Sequence, residues 1–342
     1  MTLVNNLKYK NLINYWLLLS IFLIILMIVV GGITRLTDSG LSITRWELFS
    51  GILPPLTTAK WSYYFSLYKQ IPQYELLNNS ISLKEFKVIF FWEYFHRLLG
   101  RIIGLSFLIP LIFFTFKNAL NSKYIYKFYL IFLLICFQGF IGWFMVTSGL
   151  TENVTVSHYR LSIHLFFAFI ILTSLTWSYL NLNSNNYKFI FKRNNNNVYL
   201  QIFISLFFLQ IIVGAFVSGL DAGYIYQTWP LMGENYFPND LYINNLFNFF
   251  DFSERSLVQF LHRNLAYLIL FVFIFYGAKL AMNRETLLYK NYFYVLIILF
   301  TQIILGILIL ISGVNLYIAL LHQFSSIFLL ILTLKLYHMS IN

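Results

Sequence analysis

The chain holds a single cysteine, Cys136, among its 342 residues. One thiol permits no intramolecular disulfide and no thiolate cluster, which excludes both a disulfide-stapled fold and a metal centre held by several thiolates. Charge is scarce as well. Asp, Glu, Lys and Arg make up 10% of the residues, against 59% hydrophobic and 20% aromatic. A soluble globule of this size needs more polar surface than that. Acids are the rarest, 12 against 23 Lys and Arg, for a net charge of +11. The bases are scattered and form no stripe of the kind that tracks phosphates, so nucleic acid is excluded as a partner.

What is abundant is apolar length. Runs of about 20 apolar residues cross a bilayer as helices, and eight are legible, at 15–34, 88–116, 125–147, 158–180, 199–219, 258–280, 290–312 and 316–338. The expected architecture is an all-α integral membrane protein in contact with the lipid bilayer. Lys8 and Lys10 precede the first span. Lys117, Lys123 and Lys127 join the second to the third, Lys188, Lys192 and Arg193 the fourth to the fifth, and Lys279, Arg284 and Lys290 the sixth to the seventh. The positive-inside rule places these loops and the N-terminus in the cytoplasm. Opposite them, the segment from Asp221 to Arg255 sets Asp221, Glu234, Asp240, Asp251 and Glu254 against Arg255 alone, and Glu152 lies in the third-to-fourth loop. The first outer loop departs from the trend, since Arg35, Arg45, Lys60, Lys69, Lys84 and Lys87 outnumber its acids. The stretch ahead of the first span is too short for an Arg- and Ser-rich transit peptide, and the span is too long for a signal h-region. A bacterial inner membrane is therefore expected ahead of a mitochondrial one.

The halves repeat. Ile28-Val29-Val30-Gly31 matches Ile211-Ile212-Val213-Gly214, Asp38-Ser39-Gly40 matches Asp221-Ala222-Gly223, and Trp46 matches Trp229. Phe95-His96-Arg97 pairs with Leu261-His262-Arg263, and Ile163-His164-Leu165 with Leu321-His322-Gln323. Gln138, Gly142, Ser148 and Gly149 on the third span match Gln302, Gly306, Ser312 and Gly313 on the seventh. An even number of spans per unit makes this a parallel repeat: two tandem, pseudo-twofold-related four-helix bundles at 1–180 and 198–342, joined by a cytoplasmic linker at 181–197.

The repeat selects four of the six histidines. His96 and His164 in one half, and His262 and His322 in the other, lie near the outer ends of separate helices. Two imidazoles at similar depth can clamp one haem iron from both faces, so two haem sites toward the outer leaflet are expected. Gly100 and Gly104 follow His96 at steps of four and leave a flat face for such a group. Arg97 and Arg263 are candidate partners for haem propionates, or snorkel to lipid headgroups. A lone intramembrane histidine is more simply a packing residue, but four at repeat-related positions favour ligation. His158 aligns with Leu316 and is a candidate for a supporting or interfacial role, and His338 for an interfacial one. Glu93 aligns with Gln259. The half with the acid is expected to do chemistry and the half with the amide to hold a redox haem, unless Glu93 serves only its helix terminus and Arg97.

The motifs as a set resemble one family. Gly-Gly-Ile-Thr-Arg-Leu-Thr-Asp-Ser-Gly-Leu-Ser at 31–42, Leu-Pro-Pro at 53–55, Glu-Tyr-Phe-His-Arg-Leu-Leu-Gly-Arg at 93–101, Ser-Gly-Leu-Asp-Ala-Gly at 218–223 and Trp-Pro-Leu-Met at 229–232 are similar to haem A synthases, nearest the alphaproteobacterial and mitochondrial branch. The resemblance covers the chain from first helix to last. It implies that His96 and His164 flank the substrate haem O, that His262 and His322 ligate a haem B cofactor, and that Glu93 serves the oxidation of the position-8 methyl group to a formyl group. The product would be haem A for cytochrome oxidase. The resemblance leaves the electron acceptor open, with a haem O synthase and a second copy of the chain as candidate partners. Some bacterial members carry paired cysteines in the outer loops, and this chain has none. The alternative reading is a di-haem b-type cytochrome passing electrons between quinone and a periplasmic partner.

Overall fold

The computed structural model describes residues 3–45, 50–150, 154–184, 187–190, 198–241 and 252–341. Trp46, Glu152, Lys192, Arg193, Asp251 and the linker positions 185–186 and 191–197 lie outside them. Among the described residues there are ten α-helices and no sheet, and eight of the helices are long and apolar enough to cross a membrane. The protein is an all-α, multi-pass membrane protein.

The spanning helices are α1 (Lys10–Leu36), α4 (Leu83–Phe116), α5 (Ser122–Gly149), α6 (His158–Leu182), α7 (Val198–Gly219), α8 (Arg255–Met282), α9 (Thr286–Ile311) and α10 (Leu316–Ser340). Between α1 and α4 lie two short helices, α2 (Thr58–Tyr68) and α3 (Pro72–Leu76). Helix α4 starts five residues before its apolar run because Ser82 and Glu85 form a capping box there. The Ser82 hydroxyl accepts from the Glu85 amide at 3.3 Å, and the Glu85 carboxylate accepts from the Ser82 amide at 2.8 Å. Asn121 and Asn315 cap α5 and α10 in the same sense. At the ends of α1 and α7, Asp38 and Asp221 adopt left-handed backbone with φ of 49° and 53°. Aspartate tolerates that region better than most residues.

By compactness the chain divides into Val4–Ile171 and a second unit of Met1–Leu3 with Leu172–Asn342, the boundary falling inside α6. In the first unit α1 packs on α4 and α4 on α5. Trp16 is the centre of that core, its ring 4.9 Å from Phe107, 5.4 Å from Phe114 and 5.1 Å from Phe128. Helices α2 and α3 cover the N-terminal end of α4, where Leu41, Ile43, Tyr68, Ile71, Phe86 and Phe90 form an apolar cluster. The Tyr68 hydroxyl donates to Gln73 at 3.0 Å, and the Gln73 amide donates to the Asp38 carbonyl at 3.1 Å, which ties this cover to the turn after α1.

In the second unit α7 packs on α8 and α9 on α10. Phe273 lies between Phe203 at 4.8 Å and Tyr292 at 4.9 Å. His338, expected at the interface, is buried instead. Its Nε2 lies 3.0 Å from the Asn181 side-chain oxygen and its ring packs against Trp177. Large apolar side chains such as Phe22, Phe91, Ile109, Phe271 and Ile297 point outward and exposed, as helices solvated by lipid require.

Candidate functional site

Because α1 lies along α4, Gly31 of α1 faces His96 of α4: a Cβ added to Gly31 would stand 3.3 Å from His96 Nε2. Gly142 of α5 faces His164 of α6, at 3.6 Å from the ring by the same measure. The rings of His96 and His164 come together with centres 6.3 Å apart and planes tilted by 52°. The second unit repeats the device. Gly214 of α7 faces His262 of α8 at 3.0 Å, Gly306 of α9 faces His322 of α10 at 3.2 Å, and His262 is within electrostatic reach of His322. Each imidazole thus packs against a glycine of the facing helix, and at Gly31, Gly214 and Gly306 even one added carbon would press on the ring.

These pairs fit haem. The four histidines are half-buried, and Nδ1 of His164, His262 and His322 is sealed from solvent with no hydrogen-bond partner. Such an orphaned nitrogen costs about 1–3 kcal/mol unless something binds it. A metal held between two imidazoles, about 2 Å from each ligating nitrogen, sets ring centres roughly 6 Å apart, the spacing His96 and His164 already have. No three His, Cys, Asp or Glu side chains converge among the described residues. Each pair therefore offers two ligands, the number a haem iron takes from the protein when the porphyrin fills its other positions.

Glu93, one turn before His96, is 3% exposed and held on both oxygens. The Ser42 hydroxyl and the Ile43 amide each donate to Oε2 at 2.7 Å, and Arg97 donates to Oε1 at 2.5 Å. Arg97 also donates to the Ile43 carbonyl at 3.0 Å. In the second unit Gln259 donates to the Tyr226 carbonyl at 3.0 Å. Arg263 donates to the carbonyls of Tyr226 and Thr228, both at 2.9 Å, and of Leu231 at 3.3 Å. In each unit a polar side chain and an arginine on the second spanning helix grip the segment that follows the first. The first unit does it with an acid and the second with an amide. Both arginines are engaged by loop carbonyls, a role the sequence could not disclose because the loop path was not legible.

Beside Glu93, Arg45, Arg97 and Arg101 line a cleft with Tyr64, Phe90 and Tyr94. The second unit has Thr228 and Tyr267 where the first has Arg45 and Arg101 by the repeat, and there the Trp229 indole donates to the Tyr267 hydroxyl at 3.0 Å. Asp240 fastens this second loop. It accepts from the Tyr226 hydroxyl at 2.6 Å and from the Ser256 hydroxyl. Burial pushes its carboxyl upward, but the hydrogen bonds from Ser256 and Tyr226 hold it below the ordinary value. His158 opens α6, with its ring centre 4.0 Å from that of Tyr159. Of the glycines expected beneath the haem, Gly100 lies under Met27 and Gly104 faces open space. The glycines that touch the histidines are on the facing helices. For three of the four, the signal in the sequence was the fixed step of four from a glutamine, as in Gln138 and Gly142 or Gln302 and Gly306.

The chain matches the family described as cytochrome oxidase assembly protein, COX15-CtaA, over residues 14–334. It is 49% identical to the haem A synthase of Pelagibacter ubique, over 96% of both chains. It is 43% identical to that of Flavobacterium psychrophilum, over 95% of this chain and 97% of the relative, and 39% identical to that of Rickettsia felis, over 94% and 96%. With alphaproteobacterial relatives at this level over nearly its full length, and paired histidines spaced for haem in its first unit, the chain belongs to the COX15-CtaA family of cytochrome oxidase assembly proteins.

Proposed function

We propose that this protein is a haem A synthase that oxidises the position-8 methyl group of haem O to a formyl group by successive hydroxylations. The chain would be two tandem four-helix bundles, 1–180 and 198–342, with the substrate between His96 and His164 and a haem B cofactor between His262 and His322. Haem B, when bound, supplies electron transfer to an acceptor that nothing in the chain identifies. The observation that carries the reading is the difference between Glu93 and Gln259, two side chains in equivalent grips of which one is an anion.

Glu93 supplies that anion in a dry site. Positive charge that develops beside the substrate methyl group as a hydride equivalent, two electrons with a proton, leaves it for the acceptor would be stabilised by a fixed carboxylate, and stabilisation of this kind is worth most where water is excluded. Ser42 and the Ile43 amide hold the carboxylate in place, so it need not reorganise as the charge appears. Arg97 balances its charge at rest. The loop that Glu93 grips joins the apolar cluster over the N-terminal end of α4 through Leu41 and Ile43 and leaves Glu93 itself 3% exposed. The apolar faces of the helices suit the farnesyl tail of haem O. The expected location is a bacterial inner membrane, N-terminus cytoplasmic and haem sites toward the periplasm.

The test is to express the chain with a source of haem O, purify it, extract the pigments and separate them chromatographically. Haem A or its hydroxylated precursor beside haem B supports the synthase. Haem B alone, with haem O demonstrably supplied, would favour a di-haem electron-transfer cytochrome. His262→Ala and His322→Ala are each expected to lose the retained haem B. Unchanged haem B content would show that the halves are assigned the wrong way round.

A further inference from the structure

Three of the four histidines are met by the same pair of residues on the facing helix, a glutamine and, four residues later, the glycine that makes room for the ring. Gln138 donates its side-chain amide to the His164 carbonyl at 2.9 Å. Gln210 donates to the His262 carbonyl at 3.0 Å and lies 3.4 Å from that ring's Nε2. The Gln302 amide nitrogen lies 3.1 Å from His322 Nε2, and its oxygen accepts from the Ser325 hydroxyl. Glycine follows in each case, at Gly142, Gly214 and Gly306.

The fourth histidine departs from this rule. Gly31 faces His96 as the others face theirs, but four residues before it stands Met27. A thioether has no N–H to donate, and among the described residues no side-chain amide reaches His96. The Met27 methyl instead covers Gly100, the residue one turn after His96, at 3.5 Å from where a Cβ would be. The residues one turn after the other three histidines are Ala168, Ala266 and Ser326. Methionine on the facing helix and glycine one turn on therefore occur together at one ligand only, the one whose helix carries Glu93.

A hydrogen bond from the facing helix to a histidine's carbonyl or ring fixes the ligand's place, and losing the partner of a ligating histidine's ring typically costs about 10–100-fold in metal affinity. Methionine has three rotatable bonds and a polarisable sulfur, so it fills space without fixing it. We propose that Met27 makes His96 the yielding ligand of the first haem site, so that this site, clamped at His164 alone, admits and releases its haem while the second site, clamped at both His262 and His322, holds its own. Met27 is then a positioning residue acting through His96. The proposal rests on the assignment of the first unit to the substrate, since a site that turns over must let its haem go and a cofactor site must not.

The experiment uses the full-length protein purified with both haems and mixed with an excess of apomyoglobin as acceptor. The haem remaining on the protein is extracted at intervals and identified by chromatography. Met27→Gln should slow release of haem O or haem A by about 10–100-fold. The reciprocal change, Gln210→Met, should speed release of haem B by a similar factor. General damage to the helices would speed both, so slowing in one and speeding in the other is the signature of the clamp. Wild-type release rates in a haem-loaded Met27→Gln protein would overturn the proposal, as would unchanged haem B release from Gln210→Met. If Met27→Gln slows haem B and Gln210→Met frees haem O, the clamp stands and the assignment of the halves falls.

Discussion

Replacing Glu93 by Gln removes one charge and changes almost nothing in shape. Glu93 and Arg97 form a pair with side chains 4% and 13% exposed. Removing one partner from a buried pair costs about 3–5 kcal/mol. Arg97 keeps its bond to the Ile43 carbonyl, and a glutamine oxygen can still accept from Ser42 and Ile43, which trims the loss to about 2–3 kcal/mol. That loss falls on the docking of residues 41–43, so haem content should stay close to that of the parent. The chemical effect is larger. The pair passes from neutral to a net positive charge, and a fixed cation opposes the positive charge of the reaction. Removing one such stabilising group typically costs about 10²–10³-fold in rate. Ser42→Ala is the control, because it removes one hydrogen bond from the carboxylate and keeps the charge; its loss should stay below about tenfold. The assay is haem A formed per haem O bound, with thermal unfolding in detergent measured alongside. A Glu93→Gln protein that forms haem A at the parent rate would remove the carboxylate from the mechanism. Equal losses in the two variants, tracking their stability, would reduce Glu93 to a loop anchor.

Two further outcomes are expected. Gly214→Ala puts a methyl group 3.0 Å from His262 Cε1, tighter than nearly all packed contacts, so the ring must give by a few tenths of an ångström. Pigment content should fall for haem B and hold for the substrate haem, as read from absorbance spectra of the purified variant. Asp240 makes the second loop sensitive to acid. A carboxyl held below its ordinary value stabilises the folded loop above the usual carboxylate range, and that contribution is lost as pH falls through its depressed value. Limited proteolysis within 221–241 should therefore quicken on acidification in the parent and lose that pH dependence in Asp240→Asn. A parent with a flat profile would refute the role of Asp240.

The spans were legible because lipid demands a length of apolar helix that chance seldom supplies. Their ends were less so. The apolar run beginning at 88 hid the first turn of α4, where Lys84, Glu85 and Lys87 interrupt it, although the Ser82 and Glu85 capping pair was there to be read. His96 and His164 were legible as a pair because repetition singled them out, and the structure sets their rings 6.3 Å apart. The glycines of the facing helices were matched between halves but not assigned to the histidines, because contacts between helices have no signature within either one. The grips of Arg97 and Arg263 depend on loop backbone, whose path follows from no periodicity.

The left-handed turns at Asp38 and Asp221 bear on history rather than mechanism. A backbone state that most side chains resist is an improbable place for two unrelated segments to agree. Here the agreement comes with the same neighbours, an Asp-x-Gly sequence at the end of a membrane helix. One ancestral half, copied and fused, accounts for both turns at once. On that account Gln259 and Glu93, and Gln210 and Met27, mark where two once identical copies drifted apart.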